Sequence, residues 1–371
     1  METAGAKTGV RVPSLDGLRG VAVLSVVAYH LGVVGSASGF YGLSIFFTLS
    51  GFLITNLLLR EFEATHNVSF RRFYVRRGLR LLPALMATVA AYVLVVALAD
   101  GWSDGLRHAL AAAGVSLSYV ANFVVAFSHF GSPLNHVWSL AQEEQFYVLW
   151  PPLLVWALRR GVDAAHILWL LLAGFVVSAG WRAWLTAAHV RSLRVEFGPD
   201  TRAGEMLIGC AVAVAVVYWS RDVGAEAQRR LRIASTAAAL VLAGHLFVTG
   251  LGYRYALAAG FTVVPIATAT VIGACVLGVD GPVGAALRFP VLRWFGRISY
   301  GLYLIHYPVF IGLHKTGLTG ARLVVVEAVL AVALAALSFY VIEQPFLRLK
   351  ERVARPPQET ASRSPQSSIY D

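Results

Sequence analysis

Leu15-Asp16-Gly17-Leu18-Arg19-Gly20-Val21-Ala22-Val23-Leu24-Ser25-Val26-Val27-Ala28-Tyr29-His30 is an apolar run with a carboxylate, a guanidinium and an imidazole set into it. With the residues that follow, it is long enough to cross a ~30 Å hydrocarbon core as a helix, which takes about 17–25 mostly apolar residues. An ionisable group inside such a span costs several kcal/mol unless it is paired or solvated, so each one is a candidate for function. Arg19 and His30 are eleven residues apart, which on a helix is about 20° past three full turns. They share a face, about 16 Å apart along the axis, and Asp16 lies about 40° off the same line. The competing reading is structural: an Asp16–Arg19 ion pair at the helix start and a histidine hydrogen-bonded at the interface.

The rest of the chain has the same character. Of its 371 residues, 57% are hydrophobic and only 14% charged, with a mean hydropathy of +0.66. Soluble domains run near ~25% charged, so the polar surface needed to enclose a soluble core is missing. The composition also excludes a disordered scaffold, a disulfide-stapled domain and a collagen-like chain. Cys210 and Cys275 both sit in apolar runs and read as packing residues. Ten runs qualify as spans: 16–34, 40–59, 81–99, 140–158, 164–187, 203–219, 233–250, 255–278, 297–315 and 321–342. Placing both termini in the cytoplasm puts 23 of the 31 basic residues on the cytoplasmic side, in keeping with the positive-inside rule. The stretch 106–128 would break that pattern as a full span and is expected to be re-entrant or interfacial. The basic excess therefore reads as membrane topology and not as nucleic-acid binding.

The expected fold is all-α, a polytopic membrane bundle of about ten transmembrane helices. Residues 1–12 form a cytoplasmic tail, 13–347 a single transmembrane domain and 348–371 a short, polar, disordered cytoplasmic tail. A cleavable leader ending at Gly35-Ser36-Ala37 is disfavoured, because the charged residues in that stretch would be costly unless they work. The arginine-for-lysine bias with heavy alanine and valine usage is that of a high-GC bacterial genome.

Four further stretches carry chemistry. Arg71-Arg72-Phe73-Tyr74-Val75-Arg76-Arg77-Gly78-Leu79-Arg80 places Arg77 and Arg80 on one helix face, and guanidinium forks suit phosphates. For Arg71 and Arg72 an anchor on anionic lipid is preferred. His136-Val137-Trp138-Ser139-Leu140-Ala141-Gln142-Glu143-Glu144-Gln145 brings two carboxylates into a span at the end expected for His30, where a carboxylate could fix a histidine's tautomer. In the stretch from Arg297 to Pro308, Ser299 and His306 lie on one side of a helix. Glu343-Gln344-Pro345 is expected to end the last span, because proline cannot continue it. No Walker loop, dinucleotide fingerprint, HExxH, paired CxxC or GxSxG is present, which removes ATP-driven, nicotinamide, zinc and serine-hydrolase readings.

These stretches resemble the acyltransferase-3 family of integral-membrane O-acyltransferases over about 13–347. The signals are Leu15 to Gly20 with His30 following Arg19, Phe46-Phe47-Thr48-Leu49-Ser50-Gly51-Phe52, the Arg77/Arg80 pair, Trp138 through Tyr147, and Tyr300 to Pro308. The resemblance implies transfer of an acyl group, with acetyl expected, from cytoplasmic acyl-CoA to a hydroxyl of a glycan, a glycolipid or a secondary metabolite such as a macrolide. It implies His30 as catalytic base, Arg77 and Arg80 on the CoA phosphates, Arg19 along the donor's path and Glu143 near the acceptor. Glu144 joins the candidate catalytic set and Arg76 the donor set. Asp16, Ser50, Trp138, Arg202, Tyr300 and His306 are candidates for substrate binding or support. Gly204 stands where many relatives have aspartate, which leaves open whether Glu205 takes that role. Some relatives carry a fused extracytoplasmic hydrolase-like domain that this chain does not show, so a relay within one chain is not expected. The expected partners are acyl-CoA, a hydroxyl-bearing acceptor and the bilayer, in the cytoplasmic membrane, with no metal. The alternative is a proton-coupled transporter or flippase using His30, Glu143 and His306 as a relay.

Overall fold

In the computed structural model of the chain, the described residues are 12–33, 35, 38–100, 103–220, 223–247 and 252–354. The expected tails at 1–11 and from 355 onward, and most of the leader site at Gly35-Ser36-Ala37, lie outside them. Helix α1 spans Pro13–His30, α2 Gly42–Thr65, α3 Phe70–Asp100, α4 Asp104–Leu117 and α5 Ala121–Phe127. Next come α6 (Trp138–Arg159), α7 (Ala164–Ala187), α8 (Ser192–Phe197), α9 (Pro199–Trp219) and α10 (Ala225–Phe247). The chain continues through α11 (Tyr253–Tyr255), α12 (Phe261–Val276), α13 (Gly281–Leu287), α14 (Pro290–Leu313), α15 (Gly320–Ser338) and α16 (Gln344–Ala354). No strand occurs among the described residues.

The protein is a multi-pass membrane protein. Large apolar side chains face outward along its helices, as Leu98, Trp169 and Leu240 do at 70–79% exposure, which suits lipid and not water. All ten expected runs are helical, yet ten is too many spans by length and composition. Among the described residues, seven helices are long and apolar enough to cross a membrane, or eight if the pair α4–α5 counts as one. The runs that fall short are α1, α6 and α14, because they carry the ionisable and polar side chains described below. Helices α4 and α5 meet at 117°, so the 106–128 region bends back, as expected of a segment that does not cross straight.

The polar helices are buried by close backbone approach. A Cβ on Gly17 would lie 1.7 Å from the Leu287 carbonyl oxygen, one on Gly20 2.0 Å from that of Leu292, and one on Gly296 1.8 Å from that of Asp16. Small residues at such seams let helices pack without a side chain between them, and here Gly20 and Gly296 draw α1 against α14 while Gly17 draws it against the end of α13. Gly51 and Gly209 do the same for α2 and α9. Gly296→Ala is therefore expected to cost about 1–3 kcal/mol, seen as a lowered melting temperature in detergent. An unchanged melt would mean that the seam has room to spare.

Proline 345 does not end the last span. A π-turn at Phe339–Glu343 leads directly into α16, where Pro345 is the second residue. Its missing N–H costs nothing in a first turn, and the helix runs to Ala354, into the stretch expected to be a disordered tail.

Candidate functional site

One end of the bundle gathers arginines from the end of α2 and the start of α3. Between them opens a cavity of about 870 Å³, large enough for an extended small-molecule ligand. Arg60, Arg72 and Arg76 stand at its mouth, and Arg19, Arg77 and Arg80 line it further in. Arg77 is held on three sides. Its Nε donates to Glu144 Oε1 at 3.2 Å and its Nη2 lies 3.7 Å from Glu143 Oε2. Its guanidinium carbon sits 3.3 Å from the centre of the Tyr147 ring, whose hydroxyl donates to Glu143 Oε2 at 2.8 Å. Arg76 lies 3.8 Å from Glu61. Arg19 is 4.0 Å from Asp16, the pair that the structural reading of the first span anticipates. Arg80 makes no ion pair with any described residue, although it lines the same cavity. Tyr300 also lines it and donates to the Leu81 carbonyl at 2.7 Å, tying α14 to α3 beside Arg80.

Ser139 and Tyr303 line the cavity too, and their hydroxyls are 2.7 Å apart. The Tyr303 hydroxyl also donates to the His136 carbonyl. On the far side of Tyr303 lies a group of imidazoles. The His306 ring is centred 5.7 Å from Tyr303, 5.4 Å from His136 and 5.0 Å from His30. His306 Nδ1 faces the Tyr303 and Leu302 carbonyls at 2.7 and 3.1 Å. Carbonyls only accept, so in the neutral ring this nitrogen carries the proton and Nε2 is a lone pair. That lone pair is 3.3 Å from His30 Nδ1, which is 2.9 Å from the Val26 carbonyl. Both neighbours of His30 Nδ1 are acceptors, so it donates and leaves His30 Nε2 as the bare nitrogen.

The sequence-derived residues thus fall into three places. Arg19, Arg76, Arg77, Arg80, Ser50, Glu143 and Tyr300 line one cavity. His30 and His306 meet outside it. Glu143 and Glu144 do not stand beside His30 as expected, since both face Arg77, and the groups fixing the His30 tautomer are the Val26 carbonyl and His306. Trp138 and Arg202 are buried behind the cavity. The Arg202 guanidinium carbon is 3.7 Å from the centre of the Phe261 ring, and its Nη1 is 3.0 Å from Glu205 Oε1. Gly204 packs on Ser178, where a Cβ would be 3.2 Å from the serine Cβ. Cys210 and Cys275 are buried and free, as packing residues are.

The profile described as Acyltransferase domain matches residues 12–343, a range that takes in every residue of the cavity and the imidazole group. The chain belongs to the acyltransferase-3 family. The chain is 35% identical over 352 residues to YrhL of Bacillus subtilis, named for peptidoglycan O-acetylation, covering 90% of this chain and 54% of that protein. It is also 35% identical over 349 residues to the peptidoglycan O-acetyltransferase OatA of Listeria monocytogenes, covering 90% and 55%. To the O-acetyltransferase OatA of Staphylococcus aureus it is 31% identical over 352 residues, covering 90% and 57%. The chain spans about half the length of these relatives. No solved structure matches it.

Sequence reasoning missed several residues of the acyltransferase. Arg72, for which an anchor on anionic lipid is preferred from sequence, lines the cavity instead, and Arg60, for which the sequence offers no reading, joins it there. Tyr147, Ser139, Tyr303 and His136 all lie inside motifs quoted above, but without a charge that penalises a span they gave no signal of their own.

Proposed function

We propose that the protein transfers an acetyl group from acetyl-CoA to a hydroxyl of a cell-envelope glycan, with peptidoglycan the acceptor class. The observation that carries this reading is the arginine-lined cavity ending at Ser139 and Tyr303, with the base-competent nitrogen of His30 beyond them. The names of the relatives support the acetyl group and the glycan. The arginine end is the cytoplasmic end by its excess of basic residues, which puts the mouth where CoA is found.

In this reading Arg80, with no carboxylate at ion-pair distance among the described residues, takes a donor phosphate, and Arg60, Arg72 and Arg76 meet the others at the mouth. Arg77 is already neutralised by Glu143 and Glu144, so it shapes the passage and contributes less to binding. The pantetheine arm runs past Arg19 toward the Ser139–Tyr303 pair. Tyr303, packed against the His136 and His306 rings, separates the cavity from the imidazole group, and a shift of its ring would join the two. His30 Nε2 then takes the proton of the acceptor hydroxyl as the oxygen attacks the thioester carbonyl. The C–S bond breaks, the ester forms, and the departing thiolate is protonated. His306 keeps the imidazolium oriented by holding its Nδ1–H.

The test is an assay of the purified protein in liposomes with radiolabelled acetyl-CoA and an N-acetylglucosamine oligosaccharide. The expected result is thioester cleavage matched mole for mole by acetylated glycan. No cleavage by a well-folded sample would overturn the reading and return attention to transport.

A further inference from the structure

At the histidine end, outside the groups used so far, two tyrosines hold their rings toward solvent around a carboxylate. Tyr29 and Tyr253 are 38% and 42% exposed, and the Tyr253 hydroxyl donates to Glu196 Oε2. Tyr29 directly precedes His30, with the two rings edge to face at 5.1 Å. Glu196 and the two tyrosines lie within electrostatic range of one another.

Glu196 owes its position to a rigid support. It rides on the short helix α8, which is pinned on both sides. Arg194 forms a two-pronged pair with Asp200 at 2.9 and 2.6 Å, and Gln142 Nε2 donates to the Phe197 carbonyl at 2.9 Å. The pairing with Asp200 takes up the arginine nearest in sequence. Glu196 is left with Tyr253 as its hydrogen-bond partner among the described residues; Arg202 acts on it only from beyond ion-pair distance and is itself paired with Glu205. A carboxylate that packing alone required would be neutralised more fully. Two exposed aromatic rings are likewise a poor surface for water and a good one for the C–H face of a sugar.

We infer that Tyr29, Glu196 and Tyr253 form an acceptor subsite that binds a neutral sugar ring, with Glu196 accepting from its hydroxyls and Tyr29 stacking on it beside His30. The inference rests on the acyl-transfer reading for its purpose but not for its test. A carboxylate at this place accepts hydroxyl donors and repels an anionic group, which limits the ring seated here to an uncharged one. Glu196 and Tyr29 are then specificity residues, and they take no part in donor binding at the opposite end.

The experiment is calorimetric binding of an N-acetylglucosamine tetrasaccharide to the purified full chain, without any acyl-CoA. Wild type is compared with Glu196→Gln and Tyr29→Ala. Binding by wild type that weakens about 10-fold or more in each variant is the expected result, since a hydrogen bond to a charged group and a stacked ring each carry an effect of that size. Acetyl-CoA affinity should stay the same in both variants, and melting temperatures would confirm that they fold. Wild type that does not bind the glycan, or variants that bind it as well as wild type does, would overturn the inference. Glycan binding that depends on Glu196 in a protein that never cleaves acetyl-CoA would sink the donor reading and leave the subsite standing.

Discussion

Replacing His30 with alanine is expected to lower acetyl transfer by about 10²–10⁴-fold, the contribution of a positioned general base. Acetyl-CoA binding should be unchanged, because His30 is not among the residues that line the donor cavity. That combination separates a catalytic role from a structural one. A histidine serving only as an interhelical hydrogen-bond partner would show its loss in the melting temperature and leave the rate per folded molecule intact. The measurement is transfer of radiolabelled acetyl to the oligosaccharide, normalised to the folded fraction. Transfer near the wild-type rate would remove His30 from the chemistry.

The second large effect concerns the arginines. Arg80→Ala should weaken acetyl-CoA binding by about 10- to 100-fold, the value of a hydrogen bond to a charged group. Acetyl-pantetheine, which lacks the nucleotide phosphates, should bind both proteins alike. Arg77→Ala is expected to behave differently. Its guanidinium already serves Glu143, Glu144 and Tyr147, so removing it leaves two partly buried carboxylates without a cation. Such uncompensated charge is destabilising by several kcal/mol. The main result for Arg77→Ala should thus be a lowered melting temperature, with a smaller change in donor affinity. Equal affinity of the Arg80 variant for acetyl-CoA would mean that the phosphates are held elsewhere.

Helical wheels went far here because ionisable residues are so costly in a span that each one marks itself. Arg19 and Glu143 mark themselves in this way, Arg77 and Arg80 by their three-residue spacing just ahead of a span, and the structure gathers all four around one cavity. The wheel gives an angle about a helix's own axis and nothing about the neighbour it will face. Glu143 and Glu144 share a motif with Trp138 and Ser139, and the natural guess set the carboxylates beside His30. In the structure they sit lower on α6, against Arg77, while the first turn of α6 delivers Ser139 to Tyr303. Glu196 and Tyr253 were beyond reach for a related reason. They are 57 residues apart, and only the packing of α8 and α11 at one end of the bundle brings them together.

The sequence by itself determined the all-helical membrane bundle, because apolar runs of spanning length leave the backbone no other way to satisfy its hydrogen bonds in lipid. It also placed His30 about 16 Å along one helix face from Arg19, since that spacing is fixed by helix geometry alone. Tertiary structure decided which groups meet. Gly20 and Gly296 let α1 and α14 touch backbone to backbone. That contact brings His30 Nδ1 within 3.3 Å of His306 Nε2. Each ring's tautomer is set by carbonyls of its own helix, Val26 for His30 and Leu302 and Tyr303 for His306, but two histidines separated by 276 positions come within reach of each other only when the helices carrying them pack together.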